Sequence, residues 1–299
     1  MELIRLSGLQ VDEKLEPLIR EWVSRTNDHT KRAYAQDMQS LARWDADALK
    51  KIVLGDARDA NLAVIRYKKH LESISVAPKT INRRLSSTRS LVSLAKTLGI
   101  CNHTVTIKNV RSTPYLDTRG PGTEAVKAML RLATEPRDRA MVCLLYNNAL
   151  RCGEVLAMNV GDVNLDRQSL AIVGKGQRER KKISASSQTI NALRAWLRCH
   201  PNPVDSSPLF VSRDNRSRGT RLSSRSMRRI INKLGRKANT KATPHGLRHT
   251  AITDALEATG GDIRRVRLFS RHKDINTVLI YDDARQNWHR QISEKISIG

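Results

Sequence analysis

Residues 243–249 read Thr-Pro-His-Gly-Leu-Arg-His. Thr243 suits an N-cap and Pro244 the first helical position, so a helix opens here, with His245 and Arg248 three residues apart on one face. The start of a helix already favours anions through its dipole and its unpaired N–H groups. An imidazole and a guanidinium placed there together can grip a phosphate. By itself the stretch is a weak signal.

Working outward, Phe-Ser-Arg-His-Lys-Asp-Ile-Asn-Thr-Val-Leu-Ile-Tyr (269–281) supplies His272 and, nine residues later, Tyr281. Upstream, the apolar run Met-Val-Cys-Leu-Leu-Tyr-Asn-Asn-Ala-Leu (141–150) ends at Arg151, with Glu154 three residues on. An arginine at the end of a core helix with a carboxylate in reach is either a structural ion pair or an oriented phosphate ligand. Between these regions, strand-like Ser169–Val173 and Lys181–Ala185 flank Gly-Lys-Gly-Gln-Arg-Glu-Arg, a hairpin signal with Lys175 in its turn. Taken singly, Tyr281 reads as a packed core tyrosine, His272 as a surface or capping histidine and Lys175 as a solvated turn lysine.

In this order and over these intervals, Arg151, Lys175, the His245/Arg248 pair, His272 and Tyr281 resemble the tyrosine site-specific recombinases, the phage integrase family with its Xer-like members. The resemblance covers most of the chain. It implies a mainly α fold with a small antiparallel β-sheet: a helical DNA core-binding domain over residues 1–110, a linker over 111–123, and a catalytic domain over 124–299 that ends in a subunit-exchange helix. It implies Tyr281 as nucleophile, Arg151 and Arg248 as clamps on the scissile phosphate and His272 as a further phosphate donor. Lys175 matches the general acid, His245 the acid/base histidine and Glu154 the carboxylate that supports Arg151, while His249 is read as structural. The sequence departs from the family at Ser270-Arg271-His272, where Leu-Gly-His is usual, and Arg271 is expected to add a DNA contact.

The implied activity is cutting and rejoining of DNA through a 3′-phosphotyrosyl link and a Holliday junction, by a homotetramer on two paired core sites, with accessory proteins compatible. Two alternatives stand beside it: a type IB topoisomerase-like relaxing enzyme, and a non-catalytic DNA-binding regulator. The chemistry explains why so many cations are needed. Opening a phosphodiester requires barrier lowering on the order of 20 kcal/mol, and one preorganised donor supplies roughly 3–4 kcal/mol, so several must converge where no metal helps. A tyrosine hydroxyl with a reference pKa of about 10 must lose its proton during attack, to His245 or through the cationic field. The alkoxide leaving group needs a proton, which Lys175 on the hairpin can deliver.

The rest of the chain fits a DNA partner. Four segments carry apolar residues at helical spacing between 12 and 99: Leu15 to Val23, Tyr34 to Leu41, Ala60 to Leu71 and, opened by Pro78, Ile81 to Leu98. They predict a four-helix bundle. On the fourth helix Lys79, Arg83, Arg84 and Arg89 avoid the apolar stripe, as a solvated face or a phosphate-contacting one. Pro114, Gly120, Pro121 and Gly122 then mark a linker within Asn109 to Thr123. Further helices are predicted over 123–134, 137–149, 187–199, 223–238, 244–258 and 284–297. In the last, Trp288, Ile292 and Ile296 repeat every four residues, and in the family such a helix often docks on a neighbouring subunit.

Between Arg213 and Lys241 eleven bases face one acid, and Arg225, Arg228, Arg229 and Lys241 within it read as a DNA-holding surface. Overall, 54 Lys and Arg against 29 Asp and Glu leave a net charge of +25 over 299 residues. With no apolar run approaching the roughly 20 residues of a membrane span and no secretory leader pattern, the expected location is the cytoplasm, on the nucleoid, with no membrane partner. The four cysteines form no Cys-x-x-Cys pair and no carboxylate cluster suits two metals, so no metal site and no cofactor are expected. With the bundle expected to start near Asp12, no further N-terminal arm-binding domain is expected, which favours simple core sites.

Overall fold

A computed structural model describes residues 15–26, 28–111, 120–174, 179–215, 217–285, 293, 296 and 297. The chain forms two compact units, Met1–Pro114 and Tyr115–Gly299. The first holds α1 (Glu16–Ser24), α2 (Asp28–Trp44), α3 (Ala48–Val53), α4 (Ala57–Ser73) and α5 (Pro78–Thr97). Pro78 opens α5, and Asp56 caps α4 by accepting the Asp59 N–H at 2.8 Å. The apolar stripes meet in one core that includes Leu18, Trp22, Leu41, Val64, Tyr67, Leu71, Ile81, Leu85 and Leu91. Each such side chain taken out of water contributes roughly 1.5–3 kcal/mol. The sequence predicts four helices here and the structure has five among the described residues. α3 spans only six residues, too few for helical periodicity to register, yet Ala48, Leu49, Ile52 and Val53 are all buried.

The second unit contains α6 (Thr123–Leu132), α7 (Pro136–Asn147), α8 (Cys152–Ala157), β1 (Val163–Asn164), β2 (Ser169–Val173), β3 (Arg180–Ser184), α9 (Ser187–Arg198), α10 (Ser224–Lys237), α11 (Pro244–Ala258), α12 (Ile263–Ser270) and α13 (Asn276–Arg285). The three strands pair antiparallel in the order β1-β2-β3, with Leu170 opposite Ile183 and Ile172 opposite Lys181. Leu170 and Ile172 point inward on alternate positions of β2. α7 runs through the middle: Ala140 to Leu145 have no exposed surface at all, which is how a helix apolar on every side is accommodated. No helix among the described residues is long and apolar enough to cross a membrane.

Three short helices escape the periodicity reading. α8 and α12 are single or double turns, and α13 occupies the run Thr-Val-Leu-Ile-Tyr, whose continuous apolar character hides the three-residue spacing of its buried pair Val278 and Tyr281. The helix expected over 284–297 lies outside the described residues except at its first two positions and at 293, 296 and 297. The stretch read as linker also ends earlier than expected. A Cβ on Gly120 would lie 2.0 Å from Thr250 Oγ1, the Gly122 N–H donates to that oxygen at 3.3 Å, and Thr123 donates to Asp254 at 2.9 Å. Residues 120–123 are therefore packed on α11, because glycine lets the backbone approach that helix closely.

Candidate active site

The start of α11 is built as its sequence predicts. Thr243 caps it, accepting the Gly246 N–H at 2.9 Å, and Pro244 fills the first turn. Arg248 then points into the unit rather than into water, at 2% exposure. Its guanidinium donates to the Ala149 carbonyl, to the Ser270 carbonyl at 2.5 Å and to His272 Nε2 at 3.2 Å. Arg151 is the N-cap residue of α8. The Glu154 carboxylate accepts both its backbone N–H at 2.8 Å and its Nη1 at 2.7 Å, while Arg151 Nη2 donates to the Arg271 carbonyl at 3.3 Å.

Two backbone turns therefore hold the two arginines, and both turns contain a non-glycine residue in the left-handed region. Ala149 has φ 45° and Arg271 φ 58°. Such a conformation costs an L-residue roughly 1–2 kcal/mol, so each turn stores strain that the surrounding packing must offset.

His272 closes the group. Its Nδ1 lies 2.9 Å from Ser270 Oγ, whose hydroxyl has the Arg267 carbonyl within reach at 3.4 Å. Arg248 can only donate, so the network places the His272 proton on Nδ1 and leaves Nε2 as acceptor. The phosphate-donor role expected for Nε2 requires that arrangement to change when an anion arrives. The Tyr281 ring, on α13, lies tilted against that of His249 with centres 4.2 Å apart and 6.0 Å from that of His272, and His249 meets His245 edge-on at 5.1 Å.

Burial and mutual repulsion set the charges. Burial, followed by Arg151 and Arg271, lowers Arg248 to about 10, so it remains a cation at pH 7. Burial and then Arg248 hold His272 down at about 4; burial and then His245 do the same for His249. His245 is lowered by burial and by Arg248 and Arg151, which leaves it neutral and able to accept a proton at neutral pH. For Glu154 burial works upward, but Arg271 and the bonds from Arg151 outweigh it and hold the carboxyl below its ordinary range. Burial raises Tyr281, against the pull of Arg248 and Arg151. Three guanidiniums and one carboxylate thus leave a pocket two charges short of neutrality, which is suited to an anion.

Of the expected site residues, the structure brings together Arg151, Glu154, Arg248, His272 and Tyr281, with His245 joined through His249. Lys175 lies outside the described residues, although β2 and β3, the strands that carry its hairpin, are in place. The side chain of Arg271, for which a DNA contact is expected, is only 11% exposed and donates to Glu154 at 3.1 Å and to the carbonyls of Asn148, Ala149 and Phe269. The left-handed turn folds the side chain back onto the site instead of releasing it to solvent.

The bases of α5 are also engaged. Arg83 pairs with the buried Asp37 at 2.6 Å, Arg84 lies 4.0 Å from the same carboxylate, and Arg89 donates to the Ile107 carbonyl and to Asn109. Lys79 is exposed, as are Arg225, Arg228, Arg229 and Lys241. The sequence reading missed Ser270, which orients His272, and the Ala149 carbonyl. Ser270 stood two residues before the histidine and could have been found, whereas a carbonyl carries no residue signal. Among the described residues no group of three or more His, Cys, Asp or Glu side chains is placed to hold a metal ion.

Residues 123–287 match the phage integrase family model. A tyrosine recombinase of Synechococcus elongatus is 35% identical over 284 residues, covering 90% of this chain and 89% of its own length. A second, from Synechocystis sp., is 33% identical and covers 97% of this chain and 96% of its own. Among solved structures, the XerH site-specific recombinase bound to palindromic difH substrate in a post-cleavage complex superposes with a TM-score of 0.68 at 16% identity, over 90% of this chain and 80% of that one.

Proposed function

Because the chain belongs to the phage integrase family of tyrosine recombinases, enzymes that cleave and rejoin DNA, we propose that it is a site-specific recombinase that works through a 3′-phosphotyrosyl intermediate on Tyr281. One observation carries the reading. Arg151, Arg248, His272 and Tyr281 come from four separate stretches of the chain: Arg151 pairs with the buried Glu154, Arg248 donates to His272, and the His272 ring centre lies 6.0 Å from that of Tyr281.

In this reading the scissile phosphate enters between Arg151 and Arg248 and takes the donors that now rest on the Ser270 and Arg271 carbonyls. His272, released from Arg248, turns an N–H toward the phosphate. The neutral His245 is the acceptor for the Tyr281 proton. The phenolate forms the bond to phosphorus, the 5′-oxygen leaves, and Lys175 protonates it. Attack by the 5′-hydroxyl of a partner duplex on the tyrosyl link reverses the step on a new strand and produces a Holliday junction. The bond energy is kept in the covalent link, so no nucleotide fuel is needed. Paired sites call for a homotetramer, with the segment over 284–297 as the exchanged one and accessory proteins as optional partners. Residues 1–110 serve as the core-binding domain, and the exposed Lys79, Arg225, Arg228, Arg229 and Lys241 hold the duplex.

Incubating the full-length protein with a pool of nicked duplexes of randomised sequence tests this. Wild type should become covalently attached to a selected subset of strands, and Tyr281→Phe should attach to none. Plasmids carrying two copies of the recovered site should then yield deletions or inversions. Sequence-tolerant relaxation without such products would point to a topoisomerase, and binding without attachment to a regulator.

A further inference from the structure

Arg271 is one of two positions, with Ser270, at which the segment before His272 differs from the Leu-Gly-His usual in the family. Arg271 occupies a left-handed turn at φ 58°, a conformation that glycine adopts freely and an arginine does not, so the side chain is kept against the local backbone preference. Its guanidinium joins three separate elements. Nη1 donates to Phe269 at 2.7 Å at the end of α12 and to Asn148 at 3.2 Å in the turn after α7; Nη2 donates to Ala149 at 2.9 Å and to Glu154 Oε2 at 3.1 Å on α8.

Both phosphate-binding arginines touch this hub. Arg151 holds the other oxygen of Glu154 and also donates to the Arg271 carbonyl, and Arg248 shares the Ala149 carbonyl with Arg271. The Arg151 backbone N–H and guanidinium tie Glu154 from its own turn, and Arg271 adds a second guanidinium to Oε2 from another part of the chain, so the carboxylate, at 3% side-chain exposure, is held from both sides.

We propose that Arg271 is a positioning residue that fixes Arg151 through Glu154 and Arg248 through the Ala149 carbonyl in the geometry that grips a phosphate. It contributes to the rate of strand cleavage and not to duplex affinity. The proposal rests on the reading of the site given above.

The test uses the full-length protein and the nicked duplex recovered by covalent capture. Arg271→Gly, which relieves the turn and removes the guanidinium, should slow covalent attachment at saturating DNA at least tenfold, with the dissociation constant for the duplex within twofold of wild type and the salt dependence of binding unchanged. Arg271→Lys should recover part of the rate, because an ammonium can reach one acceptor but not the forked set. In a Glu154→Gln background the same glycine substitution should have a smaller effect, since the partner it acts through is weakened. If melting shows Arg271→Gly unfolded at the assay temperature, Arg271→Lys is judged by the same rate and affinity criteria, with at least a threefold slowing expected.

Attachment at the wild-type rate overturns the inference alone. So does a loss of affinity with a salt slope lower by about one unit, the signature of a phosphate contact, or full additivity with Glu154→Gln. A wild-type protein that captures no strand overturns the reading of function, and this inference with it.

Discussion

The pocket around Glu154 and the outer face of α10 are both built from arginine, and they use it in opposite ways. In the pocket Arg248 is 2% exposed and its donors are committed to two carbonyls and an imidazole. On α10, Arg229 has a side chain 69% exposed, and its nearest described acid, Asp214 at 3.4 Å, is itself open to water. A cation in the pocket has lost its hydration and gained a fixed direction, so it can act on one phosphate. A cation on α10 keeps its hydration and acts through a long-range field that salt screens. The bases of α5 fall between: they leave the apolar stripe as those of α10 do, yet Arg83 and Arg89 are held by Asp37, the Ile107 carbonyl and Asn109. Avoiding the core is thus no measure of how free a base is.

The sharpest way to break this contrast is Arg248→Ala. It should lower the rate of covalent attachment by about 10²–10³-fold, the usual loss for one preorganised donor, and should also lower the melting temperature, because the Ser270 carbonyl and His272 Nε2 lose this donor and the Ala149 carbonyl keeps only Arg271. Retained cleavage would mean that the pocket is not the reacting centre. The matched change on the other surface, Arg225, Arg228 and Arg229 all to Ala, should leave attachment at saturating DNA unchanged and reduce the salt slope of binding by up to about three units, read from dissociation constants between 50 and 200 mM salt.

The intermediate case comes next in size. Arg83→Ala strips the buried Asp37 of its 2.6 Å partner and should cost about 1–3 kcal/mol in chemical unfolding, whereas Arg229→Ala should stay within about 0.5 kcal/mol. Equal costs would erase the distinction between α5 and α10.

The smallest effect is one of pH. His272 and His249 are held near 4 in the folded protein, while an unfolded imidazole titrates at about 6.5. Between those values the unfolded chain binds more protons, so stability should fall as the pH drops from 6.5 toward 4 and should be flat in this respect above 7. A melting temperature lower by a few degrees at pH 5 than at pH 7.5, with the difference reduced in His272→Asn, is expected from thermal unfolding. Identical midpoints would show that the histidines are not held neutral.

Much of the molecule was readable along the chain. The proline that opens α5 and the cap and proline that open α11 follow from residue type, β2 and β3 lie within one residue of their expected bounds, and the apolar run before Arg151 is the buried α7. The candidate site residues could be proposed because their order and spacing are carried in the sequence. What the sequence determined by itself, then, is the longer elements and the candidate site residues, since propensity, capping and hydrophobic period act over a few residues. Only the tertiary structure decided that Ala149 and Ser270 would present carbonyls to Arg248, that Glu154 would be shared by Arg151 and Arg271, and that Asp37 would reach Arg83 from another helix. Every residue has a carbonyl and any acid can pair, so which of them meets an arginine 46 or 99 positions away is set by how the elements pack.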